Sequence, residues 1–409
     1  MFFTLTLLAG AAAYQPATLP RHRDASSLSN LQMMAKKPKT DPRVWLPKRS
    51  SPYAREVDVA LQLVSRASAA VGKASLEVAN IAAQALVSDG IGSEFSDDTV
   101  MATQSAATLK AVDAGATLEL INEIGATTPC VNEFDPPYPD AVKATALTEA
   151  DLGAMLDKGS GGNLGPRTWV LAPITEAVQP AVSLTLLESG LPVVCAVALP
   201  NLPRNSMSGE KLLRMTVSFD GQSGAVRPDD GTILWAEENK GAYERAIGGT
   251  HGTDIPLRAD RSLIGKRNIA AGQVNAVQDF AATTRCQVSA QPRAAALASD
   301  LGMPADVLSA DGPFAYGLVA RGEAMTYFDL PETAADFDAS ISAHAAGTLL
   351  VAESGGMVTD TAGNALDFSQ SRDGGKLPSH VVGVITTNKD LHPDVLRQCG
   401  QNVASAAAK

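Results

Sequence analysis

Two apolar runs, Val182–Glu188 and Val193–Leu199, are joined by Ser189-Gly190-Leu191-Pro192. Apolar runs of this length, linked by so short a Gly/Pro connection, predict a β-hairpin. Thr168–Ala172 reads as a buried strand just before it, and Leu212–Phe219 and Thr232–Glu237 as further strands, with turns at Asp220-Gly221 and Asp229-Asp230-Gly231. Upstream, Val59, Leu63, Val64, Ala67, Val71, Leu76 and Ile81 recur at three- and four-residue spacings, which predicts one amphipathic helix over 55–87. A second helix is expected over 106–124, followed by a Pro-rich loop at 134–139. From Ile269–Ala271 onward, short strands alternate with helices near Val274–Thr284, Ala294–Leu301 and Pro313–Ala320. A long helix over Ala334–Ser354 is stopped by Gly355-Gly356. Met357–Thr359 and Val381–Thr386 read as strands, and Leu391–Val403 as a closing helix. Alternating helices and strands imply an α/β fold, a layered sandwich; the resemblance described below implies the layer order αβαβα. The expected parts are a leader and linker over 1–50, an N-terminal α+β half over 51–262 and a C-terminal α/β half over 263–409.

The 409 residues are 45% hydrophobic and 19% charged, an ordinary globular composition. A net charge of -11 argues against nucleic-acid binding through a basic surface. Cys130, Cys195, Cys286 and Cys399 lie far apart with no Cys-x-x-Cys pair, so they read as buried thiols rather than zinc ligands, with a redox-switch disulfide as the alternative. Phe2–Ala13 is apolar but too short to span a bilayer, and no membrane span is expected elsewhere. Ending in Ala11-Ala12-Ala13, it reads as a signal peptide, although no Lys or Arg precedes it. The stretch after it carries Arg21, Arg23, Ser26, Ser27 and Ser29 with one acid, Asp24, as transit peptides do. Together they resemble a bipartite plastid leader; secretion is the alternative. Lys36–Arg49, basic and Pro-containing, reads as a solvated linker.

Several short motifs follow one another along the chain, with no internal repeat: Trp169-Val-Leu-x-Pro-Ile174, Ala198-Leu-Pro-Asn-Leu202, Lys240-Gly-Ala-Tyr243, Tyr316-Gly-Leu-Val-Ala-Arg-Gly-Glu323, Tyr327-Phe-Asp-Leu-Pro331, His344-Ala-Ala-Gly347 and Glu353-Ser-Gly-Gly356. Their order and spacing resemble the inositol monophosphatase superfamily, most nearly its 3'(2'),5'-bisphosphate nucleotidase branch, over roughly Arg55–Val403. The resemblance implies Mg²⁺-assisted phosphate hydrolysis, in which carboxylates hold ions that activate water and stabilise the leaving oxygen. It also implies a place in sulfur or phosphoinositide metabolism, and often a homodimer.

On the matching positions the carboxylates are mostly replaced. The first metal-binding aspartate falls on Gln104, and the Gly-Glu-Glu motif on Asn132-Glu133-Phe134. The two aspartates of the central signature fall on Ala172 and Thr175, with Glu176 and Ala177 where a Gly-Thr would meet phosphate. The helix-start aspartate falls on Ala343. Glu133 and the backbone carbonyl of Ile174 remain of the metal set, so Mg²⁺ binding is expected to be weak or absent. For the ligand, the resemblance implies Asp311 and Tyr316, while its Lys and Arg positions fall on Ala315 and Asp329.

Two readings follow. One is a pseudo-phosphatase that binds a small phosphorylated ligand or a partner protein. The other is a working phosphomonoesterase whose metal site uses other acids, with Glu176, Asp336, Asp338 and Asp135 at hand; Asp336 and Asp338 also read simply as acids at a helix start. His344 reads as a packed or capping histidine. Gly159–Gly165 reads as a surface loop, since no Lys-Ser/Thr follows it, and His251 lies in a turn-rich connector with no second ligand in view.

Overall fold

Among the described residues, twelve strands form two sheets. The first has seven, in the order β1 (Thr99–Met101), β2 (Arg167–Ala172), β3 (Val182–Glu188), β4 (Leu191–Leu199), β5 (Thr232–Glu237), β6 (Gly241–Ala246) and β7 (Ile255–Pro256). All its pairings are antiparallel except β1 with β2, where Met101 lies opposite Val170. The second sheet is built from β8 (Phe280–Thr283), β9 (Leu308–Ser309), β10 (Ala324–Asp329), β11 (Gly356–Asp360) and β12 (Val384–Asn388), in the order β11-β12-β10-β8-β9. This computed structural model describes residues 51–127, 147–159, 164–174, 180–202, 231–247, 254–259, 280–283, 296–297, 300–301, 308–309, 312–331, 337–372 and 374–407, which all belong to one unit, Lys48–Lys409.

Side chains alternate across each strand, and this sets the layers. In β4, Val194, Ala196 and Ala198 face one core, shared with helices α1 (Ala54–Ser68) and α2 (Leu76–Glu94). Cys195, Val197 and Leu199 face the other, shared with α6 (Gly312–Ala320) and α7 (Ile341–Glu353). Beyond those helices lies the second sheet. Its β10 turns Tyr327 toward α6 and α7 and Phe328 toward a third core, shared with α8 (His392–Ala407). The order is therefore helix, sheet, helix, sheet, helix, the sandwich expected from the sequence. Between α2 and β2 the chain adds α3 (Ala106–Leu109), α4 (Ala114–Thr127) and α5 (Glu149–Gly159).

Several elements differ from the sequence expectation. The helix over 55–87 is two helices: Gly72 takes a left-handed φ of +77°, and Ser75 Oγ starts α2 by accepting from the Val78 N–H at 3.4 Å. The spacing hides this break because both helices bury apolar faces in the same core. The helix over 106–124 is likewise divided, with Asp113 Oδ1 accepting from the Ala116 N–H at 3.0 Å before α4. The long helix starts at Ile341, not Ala334: Ser340 caps it by accepting from the Ala343 N–H, and 337–340 precede it. Phe280–Thr283, expected within a helix, pairs in parallel with β10; a short apolar run fits either state until its partner is known. The hairpin forms as expected, turning through Ser189 and Gly190 with φ of 50° and 83°. Leu212–Phe219, Ile269–Ala271 and 134–139 lie outside the described residues. So do Cys130 and Cys286, whereas Cys195 and Cys399 are buried thiols. Burial pushes the Cys195 thiol up to about 12, so it stays protonated.

Candidate functional site

The parallel pair β1–β2 sends two chain ends out of the same edge of the first sheet, one toward Gln104 and the other through Ala172 to Ile174. Arg167 fixes this pair. Its guanidinium reaches Asp98 (3.0 Å) and Glu56 (2.9 Å) and also pairs with Glu188, while the Trp169 indole N–H donates to Asp98 at 2.9 Å. A second brace comes from Gln84, a fully buried amide in α2. Its Oε1 accepts from the Gln104 N–H at 2.8 Å, and its Nε2 donates to the Gln104 carbonyl at 2.7 Å. The Ala102 N–H also donates to the Gly159 carbonyl at the end of α5, at 2.7 Å.

The start of α7 meets this edge through the 372–376 loop. The Ile341 N–H donates to the Gly375 carbonyl at 2.8 Å, and Gly375 has φ +74° with so little room that a Cβ there would sit 2.8 Å from Met101 Sδ. The start of α6 joins them, since a Cβ on Gly312 would lie 2.9 Å from the Ala343 carbonyl oxygen. Gln104, Ala172, Ile174 and Ala343 are therefore carried by elements that meet at one junction, where the starts of α6 and α7 also lie.

Chemically the junction is poor in acid. Ala172 and Ala343 present methyl groups, Gln104 a neutral amide, and Ile174 only its backbone. Mg²⁺ favours charged oxygen ligands and gives up its water reluctantly. Among the described residues no three of His, Cys, Asp and Glu lie close enough to share a metal ion. The described part of the junction does not fit Mg²⁺. Glu133, Thr175, Glu176, Asp311, Asp135, Asp336 and His251 lie outside the described residues. The remaining spare acid, Asp338, is already occupied: Arg372 donates to it at 3.2 Å and Lys376 pairs with its other oxygen. The Lys376 hydrogen bond holds its carboxyl below the usual range.

Behind the junction lies a buried polar group that the sequence shows only in part. Tyr316 Oη and His344 Nδ1 are 2.7 Å apart, and both residues are shut off from solvent. Tyr316, a ligand contact by resemblance, therefore stands behind the site rather than in it. Likewise Ala315, which takes a lysine position, is fully buried. His344 Nε2 has no hydrogen-bond partner and faces Asp329 Oδ2 at 3.5 Å. The reading of His344 as a packed histidine holds. Burial pushes its pKa down to about 4 and that of Asp329 up to about 7, so near neutral pH the two meet without a full ion pair. Burial, and then the Asp329 charge, raise the Tyr316 phenol well above its ordinary value. Sequence reasoning named these residues singly but not as a group; Gln84 and Asp98 it missed. A lone amide inside Ala82-Ala83-Gln84-Ala85-Leu86 was the available signal for the first.

The inositol monophosphatase family model matches residues 174–403. The chain belongs to that family. The 3'(2'),5'-bisphosphate nucleotidase of Emericella nidulans is 30% identical over 336 residues, covering 79% of this chain and 87% of that protein. The 3',5'-bisphosphate nucleotidase 2 of Arabidopsis thaliana is 28% identical over 272 residues, covering 64% and 69%. Among solved structures, the inositol monophosphatase from Anabaena (Nostoc) sp. PCC 7120 covers 86% of this chain and 97% of its own, with a TM-score of 0.50 at 14% identity. That likeness concerns the fold, an α/β sandwich of the inositol monophosphatase type. The family is generally Mg²⁺-dependent, so the alanines of the junction stand against its usual chemistry.

Proposed function

We propose that this chain is a pseudo-phosphatase: it keeps the family's frame to bind a small phosphorylated ligand and does not use Mg²⁺ to hydrolyse it. The observation that carries the reading is Ala343 in the first turn of α7, level with the start of α6, where a carboxylate is needed and a methyl stands. Ala172 at the end of β2 repeats the loss from the facing element. Asp338 is held by two cations, and among the described residues no three of His, Cys, Asp and Glu gather to replace them. A phosphate ester whose negative oxygens are not neutralised resists attack by water, and metal ions normally supply that neutralisation.

The competing reading is a working phosphatase that removes the 3'-phosphate of adenosine 3',5'-bisphosphate or acts on an inositol phosphate. The nucleotidase names of the relatives favour it. One assay separates the two: phosphate release by the purified chain from adenosine 3',5'-bisphosphate and from inositol 1-phosphate, with and without Mg²⁺. No Mg²⁺-stimulated release is expected. Turnover on the order of 1 per second decides for the working enzyme.

A further inference from the structure

A second buried imidazole, outside the junction, shows an unusual proton count. His392 opens α8 and is 1% exposed. Its Nε2 lies 2.9 Å from Thr359 Oγ1 on β11, and its Nδ1 lies 2.8 Å from Thr387 Oγ1 on β12. Each hydroxyl also reaches the carbonyl of the next residue, Thr359 to Asp360 at 2.9 Å and Thr387 to Asn388 at 2.7 Å. Every one of these four contacts needs a proton. The two hydroxyls supply two, a neutral imidazole one and an imidazolium two. With a neutral ring the group is one proton short, and one hydroxyl has to leave its carbonyl to fill the bare nitrogen. The Asp360 carbonyl can be left, since the Gly363 N–H also donates to it, at 3.1 Å. That places the ring proton on Nδ1, donating to Thr387, while Nε2 accepts from Thr359.

Charging the ring would fill all four contacts: a proton from water binds Nε2, and the Thr359 hydroxyl turns back to the Asp360 carbonyl. What the charge lacks is a partner. β12, Val384–Asn388, carries no ionisable side chain. On β11 the Asp360 carboxylate is taken by the Ala362 and Asn364 N–H groups, each at 2.8 Å, and by the Asn364 amide at 3.0 Å. Lys389 and Asp390, between β12 and α8, are exposed, and Asp394 in the first turn of α8 pairs with Arg397. The positive end of the helix dipole also opposes a cation at this position. Burial pushes the His392 pKa below that of an ordinary histidine.

We propose that His392 is an acid-released latch: neutral, it straps α8 to both β11 and β12, and protonated, it lets the helix open and uncover Cys399. The inference does not depend on what the junction binds. Leu391, Val395 and Cys399 of this region pack against Phe328 and Ile385 in the third core, and the Cys399 thiol is buried. A helix held by one core face and one polar strap is a unit that can open without the rest of the chain. The sign follows from linkage. The open helix binds its proton near the ordinary histidine value and the closed one only at lower pH. The latch is therefore fully engaged above about pH 6.5 and weakens as pH falls below it. For one proton, the gain in opening between pH 7 and pH 4.5 is at most about a hundredfold.

The test is thiol labelling of the full chain with a dithiodipyridine, which reacts in acid as well as at neutral pH, read peptide by peptide by mass spectrometry. Each rate is divided by that of the urea-unfolded chain at the same pH, which removes the titration of the thiol itself. Between pH 7 and pH 4.5, Cys399 labelling is expected to rise by about tenfold to a hundredfold, while Cys195, inside β4, stays protected. Equal rises at both thiols report unfolding of the whole chain and overturn the latch, as does a Cys399 rate that does not change. His392→Gln keeps a donor and an acceptor but does not titrate, so it should flatten the pH dependence of Cys399 labelling whatever its rate at pH 7. A dependence as steep as the parent's overturns the assignment to His392. Nitrogen-15 NMR of the parent gives a check that needs no variant: at pH 7 the His392 ring should carry one proton, on Nδ1, with Nε2 bare. A doubly protonated ring at that pH overturns the proposal.

Discussion

The two ends of α7 are held in different ways. At the C-terminal end, the Glu353 carboxylate accepts from the backbone N–H groups of Asn239 and Gly241, each at 2.8 Å, and so locks the β5–β6 turn onto the helix. Asn239 has φ +60° and Gly241 +90°, left-handed backbone that the carboxylate stabilises. At the N-terminal end, Ser340 caps the helix and Gly375 closes on it, but position 343 is an alanine and the nearby acid Asp338 pairs with Arg372 and Lys376. The end that carries geometry keeps its family residues, Lys240-Gly-Ala-Tyr243 and Glu353-Ser-Gly-Gly356. The end that would carry ions keeps His344-Ala-Ala-Gly347 but has an alanine at 343, where the resemblance puts an aspartate. A chain relieved of catalysis but still required to fold would show this difference.

The contrast breaks most severely at Gly347, midway between the ends. Gly347→Ala puts a methyl 2.1 Å from Tyr316 Cγ and Cδ2, and the ring cannot retreat without leaving His344. A loss of about 3 kcal/mol in urea unfolding is expected, although Ala is otherwise the better helix former. Wild-type stability after this change would mean that α6 and α7 are free to separate, and that the site they build is not rigid.

A smaller effect is expected from acid. His344, with its pKa lowered to about 4, stays neutral in the folded chain where the unfolded chain takes up a proton, so it removes stability as pH falls below 6.5. Asp329, raised to about 7, does the reverse: it keeps a proton that the unfolded chain has released, so its term removes stability as pH rises from 3.8 toward 7. Between about pH 4 and 6.5 the folded and unfolded pairs each hold about one proton, and the two slopes cancel. Asp329→Asn removes one of them. Relative to the parent, the variant should lose about 3 kcal/mol between pH 7 and pH 4.5, measured by denaturant unfolding at each pH. Parallel curves would show that the pair does not share its proton in this way.

The layers were legible in the sequence because strand and helix periods are local. The hairpin of β3 and β4 was clear because its turn residues sit beside its strands. Helix breaks were less legible: Gly72 and Ser75 interrupt a run whose apolar spacing continues across them. The site was legible as a set of missing acids, since Ala172 and Ala343 can be read one position at a time. Its supports were not. Arg167 finds Asp98 and Glu56 at sequence separations of 69 and 111, and no spacing rule reaches so far. The Tyr316–His344–Asp329 group was hidden for the same reason, because its members come from three elements that only the layered packing brings together.

The smallest effect is expected where α7 keeps its family residue. Glu353→Gln retains an acceptor for one of the two N–H groups but loses the charge and the paired geometry. The carboxylate is only partly buried, so solvent replaces some of what is lost. A destabilisation of about 1 kcal/mol is expected. It should be independent of ligand, since the turn it holds lies at the opposite end of the helix from the junction. Thermal melts of parent and variant, with and without adenosine 3',5'-bisphosphate, check both points. A variant that keeps its stability but loses a ligand-induced shift would mean that the C-terminal end of α7 serves the site as well as the fold, and the division between the two ends would fail.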